Sequence, residues 1–494
     1  MTRSTSTSKG LETLIWFALL APCASYIAPR LSRPVRSKTF GRSARCMAIS
    51  SPKPETPVSI FSGEVDCIDN PNACDVVCDK EASCDLEPTP KGRKRDRLVV
   101  RMDDEWYDLT GWRKAHPSGS HWIDLYNNAD ATEVMYAFHS DTARKMLPRL
   151  PKARPNEIPT GEDAPIDVSP VSRGFRALRV KLEEEGWFKR KAWPEAKNLI
   201  KWTALMGVAA AFARRNTLIS ALLLGIANTS AGWLAHDYIH GRGKWAMTMR
   251  AFGMLGGGMS ATWWSDKHNL HHALTNVAGI DEDLMVDPFL YMWAPDPKND
   301  SPFRKFQHLY WMLPYSMLFA IWRIDSIKVA FKRKLWGEVA GMGLHYAMLF
   351  ALFPVKVLLP AVFISGLLTA IIVTVSHQNE EIHMDGPHKL GYVESQFQST
   401  RDYICGNPIF EYMAGGMNYQ LEHHLFPTMP RYYYPKLVPV IKQFAKEQGI
   451  EYKTESEFAI IGRTIDKFRE VSKMEPAAGA TGTKSNYVEL LKVA

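Results

Sequence analysis

The stretch Asn216–His240, N-T-L-I-S-A-L-L-L-G-I-A-N-T-S-A-G-W-L-A-H-D-Y-I-H, holds two features in one segment. Residues 216–235 carry no charge, and about 20 apolar residues are what an α-helix needs to cross the hydrocarbon of a bilayer. The segment then ends on His236 and His240. Histidines four apart lie on one face of a helix. Two more clusters follow, H-N-L-H-H at 268–272 and Q-L-E-H-H at 420–424, so three short groups hold seven of the 15 histidines. One such group means little. Three beside membrane-length segments predict a multi-histidine metal site at a membrane surface.

A second uncharged run, Val357–Ser376, also has bilayer length, and His377 follows it directly. Ala340–Pro354 and Trp202–Ala213 are shorter and strongly apolar. Ala251–Trp264 is Gly-rich, and Gln307–Trp322 is interrupted by Pro314. These last two read as short spans or interfacial helices. If His236 and His377 serve one site, both long runs must exit on the same face. An odd number of crossings then separates 241 from 356. The simplest solution is two hairpins, four spans in all, with every histidine cluster on one side. Lys189, Arg190, Lys191, Lys197 and Lys201 precede the first hairpin, and Lys332, Arg333 and Lys334 precede the second. Arg214 and Arg215 run against that charge rule.

All but one unit of the net charge of +8 sits at the start of the chain. Residues 1–48 contain eight Lys or Arg and one acid, Glu12, leaving 52 basic and 51 acidic residues elsewhere. No basic face for nucleic acid remains. Leu11–Ala24 is a short apolar run behind Arg3 and Lys9, the pattern of a secretory signal. Residues 29–48 are Arg- and Ser-rich, as in transit peptides. The two in series, with Ala24-Ser25-Tyr26-Ile27-Ala28-Pro29 between them, resemble the bipartite leader of algae with complex plastids. A plastid membrane is therefore the preferred address, and the endoplasmic reticulum the alternative. Residues 49–96 read as a disordered acidic linker. Its Cys67, Cys74, Cys78 and Cys84 lack the C-x-x-C pairs usual for zinc.

Imidazole binds iron, copper, nickel and zinc alike, so ligand number is the better guide to the metal. His236, His240, His268, His271, His272, His377, His423 and His424 make eight, where one closed zinc site takes four. Two metals with room for a further ligand fit that number. Gln420 opens the third cluster, as a weak ligand or as a wall of the pocket. Asp237, Asp266, Asp283, Glu380, Glu381 and Glu422 are candidates to orient the imidazoles through their second nitrogens. His308, His345, His383 and His388 lack the spacing and read as structural. Trp263, Trp264 and Trp311 read as tunnel lining or as interfacial anchors.

Residues 97–170 are soluble in composition. Trp106-Tyr107-Asp108-Leu109-Thr110, Trp112, His116-Pro117-Ser118-Gly119, Asp130-Ala131-Thr132 and Phe138-His139-Ser140 together resemble cytochrome b5. The resemblance implies a haem b with His116 and His139 as axial ligands, leaving no open position, so that it carries electrons. Ser118 stands where that family has Gly, and would be strained if the turn needs φ > 0 there. His121 reads as a surface residue.

The histidine set resembles the membrane fatty acid desaturases over roughly 195–450. The pattern H-x(3–4)-H, H-x(2–3)-H-H and (H/Q)-x-x-H-H matches at 236–240, 268–272 and 420–424, and His377 matches an additional ligand position. Gln420 and the amino-terminal b5-like domain mark the front-end subgroup, which places a cis double bond between an existing one and the carboxyl end. The fold implied is a mostly α membrane protein. A four-span helical domain bears a di-iron site on one face, a small α+β haem domain precedes it, and 451–494 forms a tail. The implied partners are a fatty acyl lipid or acyl-CoA and a b5 reductase or other electron donor. A sphingolipid long-chain-base desaturase, a membrane hydroxylase, a b5-type electron carrier without desaturase activity and a histidine-rich metal transporter are the competing readings. Ligands on one membrane face argue against the last.

Overall fold

The computed structural model describes residues 97–477, apart from 162–163, 166, 242 and 385–390. The leader, the acidic linker with its four cysteines, His388 and residues 478–494 lie outside the described residues.

The chain enters through a β-hairpin, β1 (Val99–Met102) and β2 (Glu105–Asp108), with Val99 opposite Asp108. Asp103 and Asp104 turn it at φ 50° and 65°. Two consecutive positive φ values match the right-handed twist of a hairpin, and Asp tolerates them best after Gly and Asn. Helices α1 (His121–Leu125) and α2 (Thr132–Phe138) close over the hairpin on Val100, Tyr107, Leu109, Ile123, Tyr126 and Val134. This small α+β unit is the expected shape of the haem domain.

Helix α3 (Pro170–Glu184) ties it to the rest. Ser169 caps the helix by accepting the Ser172 N–H, and Pro170 occupies the first turn, where no N–H is missed. One side of α3 carries Arg176, which bonds Glu133 at 2.7 Å and Asp130 at 3.1 Å, and Arg179, which donates to Tyr136 O at 2.7 Å. The other side buries Phe175 against Phe426, ring centres 5.1 Å apart. One apolar core therefore runs from the hairpin through α3 into the histidine-bearing half.

Helices α4 (Ala192–Phe212) and α5 (Thr217–Ile239) form an antiparallel hairpin. Trp202 Nε1 donates to Ala227 O at 2.9 Å and Ser220 Oγ to Ala209 O at 2.8 Å. After α6 (Lys244–Gly257), α7 (Ala261–Ala273) and α8 (Met312–Lys332), a second hairpin follows, α9 (Trp336–Leu352) and α10 (Val355–Thr374). Ala213 and Ala221 at the first turn pack in one cluster with Phe353 and Val357 at the second. Both turns thus lie at the same end, and the helix ends bearing His236 and His377 lie together at the other. Small residues let α5 and α10 approach: a Cβ on Gly225 would meet Ile364 at 2.5 Å. Asn228 and Ser365 bond across the contact at 3.3 Å.

Among the described residues two helices, α5 and α10, are long and apolar enough to cross a membrane. The expected Ala251–Trp264 segment is not one helix. Gly258 takes φ 73° at the end of α6, and Ser260 starts α7 by accepting the Trp263 N–H. Glu338 from α9 completes that cap, accepting from the Thr262 N–H at 3.2 Å and from its hydroxyl at 2.6 Å. Gln307–Trp322 is divided near Pro314: a short helix, Gln307–Tyr310, ends before it, and α8 begins at Met312 with Pro314 in its first turn, where no N–H is missed. Short helices α11 (Tyr392–Ser399), α12 (Pro408–Ala414) and α13 (Gln420–Leu425) follow. The amphipathic α14 (Tyr434–Gln448) and α15 (Glu457–Lys473) come last. A parallel pair, β3 (Asp402–Ile404) with β4 (Thr454–Ser456), joins this region.

Candidate metal centre and haem site

The three histidine clusters converge. His236, His240, His268, His272 and His423 place one ring nitrogen each within 4.8 Å of one another, and so do His271, His377 and His424. His272 and His424 stack at 3.9 Å and join the two groups. All of them except His268 are buried. Every one of the eight residues singled out in the sequence is present.

The rings are aimed by hydrogen bonds on their outer nitrogens. Nδ1 of His240 meets Asn269 Oδ1 at 2.7 Å, and that of His377 the Ser399 carbonyl at 3.0 Å. Nδ1 of His423 faces the Tyr434 hydroxyl at 3.0 Å, and that of His424 faces Gln396 Oε1 at 2.8 Å. His271 Nδ1 meets Asp281 Oδ2 at 2.9 Å. Each partner is an oxygen able to accept, so Nδ1 carries the proton and Nε2 keeps its lone pair for the interior. Nε2 of His423 is buried without a hydrogen-bond partner. Such a nitrogen is costly in a closed core and natural beside a cation. The donor set fits two first-row metal ions.

Gln420 lies against the three-histidine group, its amide nitrogen 3.1 Å from His377 Nε2 and 3.5 Å from His424 Nε2. Its Oε1 is buried without a partner. Turning the amide over would present that oxygen to the same two nitrogens, a ligand's position.

Most carboxylates expected to orient imidazoles are engaged elsewhere. Asp237 pairs with Arg431, Asp266 with Arg333, and Glu380 with Arg401 and Lys453. Glu422 accepts from Tyr452 at 3.0 Å. Burial and Asp402 beside it push its carboxyl well up. Asp283 reaches His271 only at 3.7 Å and instead binds Lys267. Burial opposes ionisation there, yet Lys267 and His271 hold Asp283 below its ordinary value. Among carboxylates, the one that does orient a ring is Asp281, which the sequence did not single out. Its spacing from His271 was the only signal, and the loop between them hides it.

His345 is a structural lock, bonding Leu255 O at 2.7 Å and lying 3.2 Å from Arg323. His383 reaches Ser399 Oγ at 2.9 Å. Trp264 meets His236 at 6.1 Å, whereas Trp263 packs on Trp322 and Trp311 on Tyr315. A cavity of about 410 Å³ is lined by Lys201, Trp202, Trp233, Tyr412 and Arg431 among others. Trp233 also meets His236 edge-on at 6.4 Å.

In the small domain, His116 and His139 face each other with ring centres 6.0 Å apart, room for one metal atom between them. Nδ1 of His116 faces Gly119 O at 3.0 Å and that of His139 faces Met135 O at 3.2 Å, turning both Nε2 atoms inward. The pair fits the iron of a haem. The positive φ of the turn, 101°, falls on Gly119, so Ser118 carries no strain. His121 is not a surface residue: it is 4 % exposed, and burial, His116 and Arg333 lower its pKa to about 4. The docking of the small domain against the other half covers it.

These features define a helical protein with a many-histidine site that fits metal, beside helices of membrane length, and a small domain in which two histidines face each other. Residues 216–456 match the family model for fatty acid desaturases, and 89–154 that for cytochrome b5-like haem or steroid binding domains. The chain is 30% identical over 439 residues to the Delta(6)-fatty-acid desaturase fat-3 of Caenorhabditis elegans, covering 78% of this chain and 98% of the relative. It is 28% identical over 438 residues to the Delta(5) fatty acid desaturase fat-4 of the same organism (77% and 97%). It is 30% identical over 371 residues to the acyl-lipid 8-desaturase of Rebecca salina (70% and 85%). The chain belongs to the fatty acid desaturase family, as a cytochrome b5-fused front-end member.

Proposed function

We propose that this protein inserts a cis double bond between an existing double bond and the carboxyl end of a fatty acyl chain. The site is two iron ions held by His236, His240, His268, His272 and His423 on one side and by His271, His377 and His424 on the other, with Gln420 beside the second. The observation that carries this is the convergence of a five- and a three-histidine cluster at the ends of α5 and α10. In the balanced reaction two adjacent methylenes lose two hydrogens, and O2 with two electrons and two protons becomes two waters.

When bound, the irons supply the oxygen activation that breaks unactivated C–H bonds, and the haem delivers electrons singly. The chain's own residues do the rest. Asn269, Asp281, Gln396, Ser399 and Tyr434 hold the imidazoles in one tautomer and orientation. Trp233 and Trp264 press on His236 and keep water from that side. The cavity that Trp233 shares with Lys201 and Arg431 suits the polar end of an acyl substrate. His116 and His139 would hold haem b, and a b5 reductase or similar donor would supply its electrons.

We assign four membrane spans, α4, α5, α9 and α10. The common end of the two hairpin turns supports this, with the haem domain and all histidines on the opposite face. We assign 97–170 to the haem domain, 195–450 to the desaturase domain and 451–494 to a tail. The leader assigns the protein to a plastid membrane, with the endoplasmic reticulum as alternative. Expression in yeast fed defined fatty acids, with double-bond localisation by mass spectrometry, tests the function. New bonds on the carboxyl side of existing ones are expected. Products unchanged from the empty-vector strain would refute it.

A further inference from the structure

The haem domain does not hang on a tether; it is seated. Tyr126 donates to Ala273 O at 3.2 Å, and the shared core and the Arg176 ion pairs fix the same face. Phe138, 7 % exposed, also lies in this contact. It is the last residue of α2, and the next residue is His139, one of the two rings that fit a haem iron. Its ring stacks on His240, centres 5.8 Å apart and planes at 27°, and meets His272 edge-on at 6.5 Å. Both belong to the five-histidine cluster. One side chain therefore touches ligands of the proposed iron site while adjoining a proposed haem ligand through a single peptide link. Trp122, 6.5 Å away, holds the ring from behind.

We propose that Phe138 is the electron bridge between the haem and the five-histidine iron, a role that rests on the reading of the haem as the electron donor. Each passage takes one electron from ferrous haem, which becomes ferric, to ferric iron at His240 and His272, which becomes ferrous. Two passages supply the two electrons of one turnover, and the external reductant restores the haem each time. No proton need cross the ring. A leucine here would keep an apolar side chain in the contact and remove only the ring that meets His240 and His272.

The test uses the full-length protein with haem and iron bound. Under argon, a flavin flash reduces the haem, and the decay of ferrous-haem absorbance reports the internal transfer. Phe138→Leu should slow that decay about tenfold, equivalent to roughly 1.4 kcal/mol on a barrier, while Phe138→Tyr stays near wild type. Haem content, non-haem iron content and haem midpoint potential should be unchanged in both. Phe138→Met serves if the leucine variant loses haem or iron. A leucine variant that decays at the wild-type rate overturns the bridge alone. So does a slow decay that tracks a shifted potential, or one shared equally by the tyrosine variant. A wild-type haem that stays ferrous overturns the donor reading and the bridge with it.

Discussion

Asp281 Oδ2 lies 2.9 Å from Nδ1 of His271, and the Asp281 side chain is fully buried. The same oxygen accepts the Asn276 N–H at 2.8 Å, and the other accepts the Asp283 N–H at 3.0 Å. This carboxylate therefore fixes both a loop and the orientation of an imidazole. Partners of this kind typically govern metal affinity by about 10–100-fold. Asp281→Asn should lose non-haem iron on dialysis at chelator concentrations the wild type withstands. Equal retention by the two proteins would remove Asp281 from the site.

His116→Ala should strip the haem and abolish or strongly reduce reductase-driven turnover, with the protein still in the membrane. Haem absorbance and fatty acid products of membranes lacking any other b5 check this. Unchanged products there would mean that electrons arrive by another route.

Gln420→His should lower activity by about tenfold or more, the cost of roughly 1.4 kcal/mol at the transition state. The imidazole is shorter than the carboxamide arm and cannot present an oxygen toward His377 and His424. Product yield per haem measures it. A fully active variant would leave Gln420 no part beyond filling space.

Phe175→Ala should destabilise the protein by about 3–5 kcal/mol, since it empties the contact with Phe426 and Phe444 that joins α3 to the histidine-bearing half. Thermal unfolding in detergent, followed by haem release and by tryptophan fluorescence, reads the change. An unaltered midpoint would show that this seam contributes little.

Burial raises the Asp287 carboxyl to about 6. The folded protein thus binds a proton that the unfolded chain has already released. Stability falls as pH rises from the ordinary carboxylate range to about 6, then levels. Asp287→Asn removes the penalty. The variant should be more stable than wild type at pH 8 and equal to it at pH 4, as unfolding midpoints at the two pH values will show.

What the sequence made legible is what repeats or runs long. The three clusters and His377 behind Val357–Ser376 come together in the fold, and His116 and His139, singled out by the resemblance to cytochrome b5, face each other. The groups that aim the rings were not legible. Asn269 serves His240, Gln396 serves His424 and Tyr434 serves His423, and each comes from another segment by tertiary packing. Of the carboxylates close to the histidines in sequence, Asp237 and Asp266 meet arginines and Glu422 meets Tyr452. The break between α6 and α7 was written in Gly256-Gly257-Gly258 and Ser260, a stop signal and a cap that outweigh the apolar run. The burial of His121 and the seat of Phe138 follow from docking, for which local pattern has no sign.

The central claim is that eight imidazoles from four separate segments hold two irons. Metal analysis of purified, catalytically active protein, with haem iron subtracted, tests it most directly. Two non-haem irons per chain are expected, falling together with activity when His423 or His377 is replaced by alanine. Active protein free of non-haem iron would contradict it.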